Sequence, residues 1–314
     1  MMTVNRSLSG KPKQGFSLRL KRQAGLQMMV IPCIIWFALF CYWPIYGLTI
    51  AFRNYTVVSN LQTAPWVGLK NFQMILKDRY FWQSVYNTLG ISFLKLLIGF
   101  PFTIILALMI HELPGGPFKR IVQTVSYLPH FLSWIVLGGM LLLWLSTDGL
   151  LNQVLGALGL IEKGKNYLLD ANKYWWIAML SDMWKEVGWG TILYLATMTG
   201  IDPTYYEAAR IDGAGKLRQI WSITLPMCKT IISLNLMLTV AGLLGSNLDQ
   251  TMILLNTQNQ PRAEVINYYV YRVGLTQGDF SYGSAVGLGV SVVSMILLLV
   301  TNLATKKIND ASVL

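Results

Sequence analysis

Six apolar runs, near 28–52, 85–110, 121–145, 174–199, 228–248 and 281–304, alternate with short polar stretches along the 314-residue chain. A hydrocarbon layer ~30 Å thick needs ~20 helical residues. Each run meets that length, so the pattern predicts an all-α membrane protein with six transmembrane helices. The first run is too long for a signal-peptide core and no small-residue cleavage site follows it, which reads as an uncleaved first span.

The polar stretch with the sharpest pattern is Ile201–Pro226, between the fourth and fifth runs. Asp202-Pro203 supplies an N-cap acceptor and a first helical residue that needs no amide partner, so a helix is expected to start there. Gly213, with Gly215 behind it, is expected to stop it in the left-handed conformation. Tyr205, Ala208, Ala209 and Asp212 share one face of this helix, and Glu207 lies beside Arg210. The two alanines let another backbone approach closely, so the helix reads as a docking knob. A second short helix is predicted with Leu217, Ile220, Trp221 and Thr224 on one face. Leu225-Pro226 closes the stretch and opens the next helix.

Hydrophobic residues make up 54% of the chain and charged ones 12%, which excludes an ordinary soluble domain. The net charge of +11 does not point to nucleic acid, because the basic residues gather at the ends of the apolar runs. Residues 1–27 hold six Lys and Arg and no acid; with the 111–120 turn, the 200–230 loop and the end of the chain they account for fourteen of the 25. That bias places both termini and the Ile201–Pro226 loop in the cytoplasm. Cys33, Cys41 and Cys228 form no motif and are expected as free thiols.

Enzymatic motifs fail on inspection. Gly159 to Lys165 has the spacing of a phosphate-binding loop, but Asn166 stands where the magnesium-binding Ser or Thr belongs and no strand precedes it. His111 and His130 are the only histidines, and neither has a second histidine at zinc-ligand spacing. No Gly-x-Ser-x-Gly elbow occurs.

The fourth run differs from the others in carrying Asp182, Lys185 and Glu186. An ionisable group at bilayer depth costs at least ~2.5–3.5 kcal/mol and usually faces a protein interior or a watery path. Asp182 and Glu186 share a face, Lys185 can reach Asp182 at i, i+3, and Trp184 and Trp189 flank them. Such a set suits a sugar, whose hydroxyls need partners and whose C–H faces stack on indoles; a structural ion pair buried against another helix explains it equally. Asn235, Asn247, Asp249 and Gln250 are further pathway candidates. Lys95, in the second run, is read as a lysine that snorkels to an interface.

Glu207-Ala208-Ala209, Asp212-Gly213-Ala214 and Ile223-Thr224-Leu225-Pro226 resemble the EAA motif of the inner-membrane permease subunits of bacterial ATP-binding-cassette (ABC) importers, with Gly215-Lys216 in place of the Ser-type residue often found there. Gly68-Leu69-Lys70-Asn71-Phe72 and Asn87-Thr88 resemble carbohydrate permeases of the MalF type. Tyr194-Leu195-Ala196, Val265-Ile266-Asn267, Tyr269-Val270-Tyr271-Arg272 and Ser281 to Gly287 resemble the LplB-like oligosaccharide and polysaccharide subgroup.

The resemblance implies a type I ABC importer fold: a basic cytoplasmic tail (1–27), a transmembrane permease domain (28–305) with its coupling loop (201–226), and a cytoplasmic tail (306–314). It implies a multi-pass protein of the bacterial inner membrane that works with a second permease subunit, two ABC ATPase subunits and an extracytoplasmic sugar-binding protein. ATP and Mg then belong to the ATPases, with no cofactor and no nucleic acid in this chain. The coupling residues are Tyr205, Glu207, Ala208, Ala209, Asp212, Gly213, Ala214, Leu225 and Pro226. The saccharide pathway is expected at Asp182, Trp184, Lys185, Glu186, Trp189 and Asn247. A permease for a non-sugar solute is the alternative.

Overall fold

A computed structural model describes residues 24–56, 58–245 and 247–309. Most of the basic amino tail and residues 310–314 of the carboxyl tail, expected in the cytoplasm, lie outside the described residues. The chain divides into two compact units, Met1–Thr49 and Ile50–Leu314. The first holds most of helix α1 (Gly25–Phe52), which passes through a π turn at Ala38–Tyr42. It is apolar on all sides, as a helix that crosses a membrane can be.

The second unit consists of helices joined by turns and loops, with one isolated bridge between Arg53 and Trp66 among the described residues. Its order is α2 (Lys70–Lys77), α3 (Arg79–Glu112), α4 (Pro117–Phe131), α5 (Trp134–Trp144), α6 (Leu150–Ala157) and α7 (Tyr174–Thr199). Then come α8 (Pro203–Ile211), α9 (Lys216–Met227), α10 (Lys229–Ala241), α11 (Leu248–Leu254), α12 (Gln260–Ala263), α13 (Ile266–Val270) and α14 (Phe280–Asn309). Three of the described helices, α1, α3 and α14, are long and apolar enough to cross a membrane. The 26-residue α7 matches them in length, and its three charges lower its hydropathy.

Two of the apolar runs are not straight spans. The third bends by 94° between α4 and α5, because Pro129 sits in a 3-10 turn at Leu128–Phe131 and Ser133 restarts the chain as an N-cap. The fifth begins inside the polar loop and bends by 66° between α9 and α10. Pro226 removes a helical donor there, and kinks of this size have such causes.

Helix α7 is the axis of the second unit. Helix α3 packs along it, with Tyr194, Leu195 and Met198 joining Ala107 and Ile110 in one buried cluster. A Cβ placed on Gly188 would meet the Ser126 carbonyl oxygen at 1.7 Å, so only glycine lets α4 cross α7 this closely. At the opposite end, buried side chains pin the connecting segments to backbone. Asn71 donates to the Ala51 carbonyl at 2.8 Å. Asn87 donates to the carbonyls of Pro261 (3.1 Å) and Glu264 (3.0 Å), and Thr88 accepts from the Ile266 amide at 2.9 Å. Asp78 caps α3 through the Tyr80 amide at 2.7 Å and accepts from the hydroxyls of Tyr269 and Tyr282. Burial pushes the Asp78 carboxyl up, but these hydrogen bonds outweigh it and hold it below the usual carboxylate range.

Candidate functional site

A cavity with charged walls lies where α3, α7 and α10 meet. Its volume is about 210 Å³, and Lys95, Asp182, Glu186, Tyr194, Asn235 and Thr239 are among its walls. A smaller adjoining hollow of about 90 Å³ shares Lys95 and Thr239 with it and is also lined by Asn247 and Gln250.

The charges pair both across helices and within α7. Lys95 Nζ lies 3.1 Å from Asp182 Oδ2, and it stands at the start of a π turn, Lys95–Gly99, inside α3. Single π turns of this kind gather at functional sites. Lys185, 6% exposed, does not take Asp182 as its partner. It donates to Glu186 Oε1 at 2.8 Å and to the His130 carbonyl at 2.7 Å. His130 Nδ1 completes the set 2.7 Å from Glu186 Oε2, while its ring stacks on Trp189 at 4.4 Å and 6°.

Two members missed by sequence reasoning therefore belong here. Lys95 answers Asp182 rather than an interface, and His130 supports Glu186. The tryptophans separate: Trp189 stacks on this network, whereas Trp184 lines an apolar hollow of about 480 Å³ with Leu141, Trp144 and Trp176. Successive helical residues turn by ~100°, so Trp184 points nearly opposite to Asp182. Asn247 caps α11 by accepting from the Gln250 amide at 3.2 Å.

The second functional region is the loop made by α8 and α9. Asp202 accepts from the Thr204 amide at 2.9 Å and starts α8; that amide and the Thr204 hydroxyl hold its carboxyl below the usual range. Gly213 ends α8 with φ +76°. The Ala214 amide reaches the Ala209 carbonyl at 2.8 Å and the Gly213 amide reaches Arg210 at 3.0 Å, the pair of bonds that defines a Schellman stop. Tyr206 and Thr224 hydroxyls meet at 3.0 Å and brace the two helices.

Tyr205, Glu207, Ala208, Asp212, Gly213 and Pro226 are exposed, while Ala209, Ala214 and Leu225 are half-buried. Glu207 forms no ion pair with Arg210 or any other described residue. The expected single face of α9 is split: Leu217 (74%) and Trp221 (71%) are exposed while Thr224 is fully buried. A π turn at Ile220–Thr224 inserts a residue and throws the two halves out of register.

Helices long and apolar enough to cross a membrane, a small cavity with charged walls between helices and an exposed helix-turn-helix in one loop are the features of a membrane permease. Residues 99–310 match the family described as binding-protein-dependent transport system inner membrane component, and the chain belongs to that family. It is 39% identical over 297 residues to the polygalacturonan/rhamnogalacturonan transport system permease protein YteP of Bacillus subtilis (strain 168), covering 94% of this chain and 92% of that one. It is 36% identical over 292 residues to protein LplB of the same organism, covering 93% and 91%. Among solved structures it resembles a bacterial ABC transporter involved in the import of the acidic polysaccharide alginate, with a TM-score of 0.86, 33% identity, and coverage of 93% of this chain and 99% of that chain. A structure of the bacterial alginate ABC transporter in complex with an alginate pentasaccharide-bound periplasmic protein matches with a TM-score of 0.87 and 33% identity over 95% of this chain.

Proposed function

We propose that this chain is one of two permease subunits of an ABC importer that carries an oligosaccharide or polysaccharide, of the acidic class, across the bacterial inner membrane. The single observation that carries the reading is similarity over nearly the whole chain to permeases named for polygalacturonan/rhamnogalacturonan and alginate. The cavity agrees in chemistry, since carboxylates, amides and hydroxyls converge on it. Its 210 Å³ falls short of the ~300–1,000 Å³ of complete ligand sites, so a second permease subunit supplies the other wall.

The α8–α9 loop receives the stroke. Two ATPase subunits bind ATP and Mg and hydrolyse it, while this subunit performs no catalysis of its own. Glu207 presents an unpaired carboxylate to a basic group of an ATPase, Ala208 and Ala209 allow close docking, and the Gly213 turn fixes the angle between the two helices. Asp182, Glu186 and Asn247 face the passing saccharide together with Lys95, with Lys185 and Trp189 holding Glu186 and His130 in place. Trp184 belongs to the same span but to its lipid side or to an adjoining subunit. Both termini and the loop lie in the cytoplasm, and an extracytoplasmic binding protein delivers the sugar on the opposite side.

The test is uptake of labelled uronate oligosaccharides by the assembled importer in proteoliposomes, driven by internal ATP and its binding protein. ATP-dependent accumulation is expected. Accumulation of a non-sugar solute with no uptake of any saccharide overturns the reading.

A further inference from the structure

Lys95 is the one basic side chain, among the described residues, that lines both the cavity between α3, α7 and α10 and the adjoining hollow. The other intramembrane lysine is committed elsewhere: Lys185 is buried between Glu186 and the His130 carbonyl. Lys95 is different in kind. Its side chain is 26% exposed and that of its partner Asp182 is 20% exposed, so the ion pair opens to the cavity rather than lying sealed between helices.

Resting on the saccharide reading above, we infer that Lys95 is the group that recognises the carboxylate of an acidic sugar, with Asp182 as its placeholder when the cavity is empty. A uronate carries a carboxylate and ring hydroxyls side by side. The carboxylate replaces Asp182 at the Lys95 ammonium, exchanging one charge-assisted hydrogen bond for another of the same kind. The ring hydroxyls then donate to the released Asp182, so no carboxylate is left without partners. A neutral sugar offers Lys95 no anion and leaves the pair closed. The exchange also keeps the sugar weakly held, as passage requires, because Asp182 competes to return.

The experiment uses the complete importer with its binding protein in proteoliposomes and compares uptake of trigalacturonate with uptake of its methyl ester, each presented well below saturation so that the ratio reports kcat/KM. The informative variant is the double substitution Lys95→Gln/Asp182→Asn, which removes both charges together and leaves no unpaired ion in the span. The ratio of acid to ester uptake is expected to fall by about tenfold or more, the scale of one lost charged hydrogen bond. An unchanged ratio overturns the inference. Equal loss of both substrates in an assembled complex overturns it too, because that is what a pair needed only for helix packing produces. Lys95→Arg, which keeps charge and donors, provides an independent reading: it is expected to preserve the ratio, and collapse of the ratio there overturns the assignment. If the unmodified importer takes up neither these two sugars nor any other saccharide, the saccharide reading itself fails and this inference falls with it.

Discussion

Lys216, in the loop between the fourth and fifth runs, donates to the carboxylate of Glu112 at the end of α3. The helix that carries Lys95 into the cavity is thereby tied at its other end to the α8–α9 loop. The pair is largely exposed on the lysine side, at 64%, so its worth to stability is ~1 kcal/mol or less. Its value lies in position.

Reversing one charge, Glu112→Lys or Lys216→Glu, is expected to lower sugar transported per ATP hydrolysed several-fold while the complex still assembles. Exchanging both is expected to restore most of the ratio. Simultaneous measurement of uptake and phosphate release in proteoliposomes checks it, and failure of the double exchange to rescue refutes a direct role for the pair.

Gly213 is held at φ +76°, where an L side chain costs ~1–2 kcal/mol. Gly213→Ala should weaken stimulation of ATP hydrolysis by the loaded binding protein, and Gly213→Pro should abolish it along with transport. Insertion of the subunit, followed by membrane fractionation, should be unaffected in both.

Asn87 is fully buried and serves two backbone carbonyls. Asn87→Ala leaves the Glu264 carbonyl without this donor at ~1–3 kcal/mol, while the Pro261 carbonyl keeps the Gln83 amide at 2.7 Å, so the thermal midpoint of the assembled complex should drop by a few degrees. The ratio of uptake to ATP hydrolysis should not change, since the bond anchors α12 and the following residues rather than the pathway.

Asp78 titrates lower in the folded protein than an ordinary carboxyl. Its contribution to stability is therefore fully present above the unfolded value of ~3.9 and is lost as pH falls through the depressed folded one. Asp78→Asn should flatten the acid limb of a plot of thermal midpoint against pH, below about pH 4, and leave the slope near neutrality unaltered.

How much of this was legible in the sequence divides along a physical line. The Asp202 cap and the Gly213 turn were readable because each is decided within a few residues. Asn71, Asn87 and Thr88, which resemble carbohydrate-permease motifs, turn out to clamp backbone in the connecting segments. The ion network was only half readable. Asp182, Lys185 and Glu186 announce themselves by their cost in an apolar run, but their partners Lys95 and His130 come from other helices and leave no local trace. Helical angle alone distinguishes Trp184 from Trp189. The 94° bend after α4 escapes hydropathy because an average over residues carries no direction, although Pro129 and Ser133 mark the place.

The four charged side chains around the cavity, Lys95, Lys185, Asp182 and Glu186, cancel as two ion pairs. A displacement of one unbalanced charge across the full bilayer would couple to the membrane potential by ~2.3 kcal/mol per 100 mV, so a cell's voltage would push on every cycle. With these side chains balanced, rocking of the helices that bear them does almost no electrical work. The energised membrane neither assists nor resists that part of the stroke, and its direction is left to ATP.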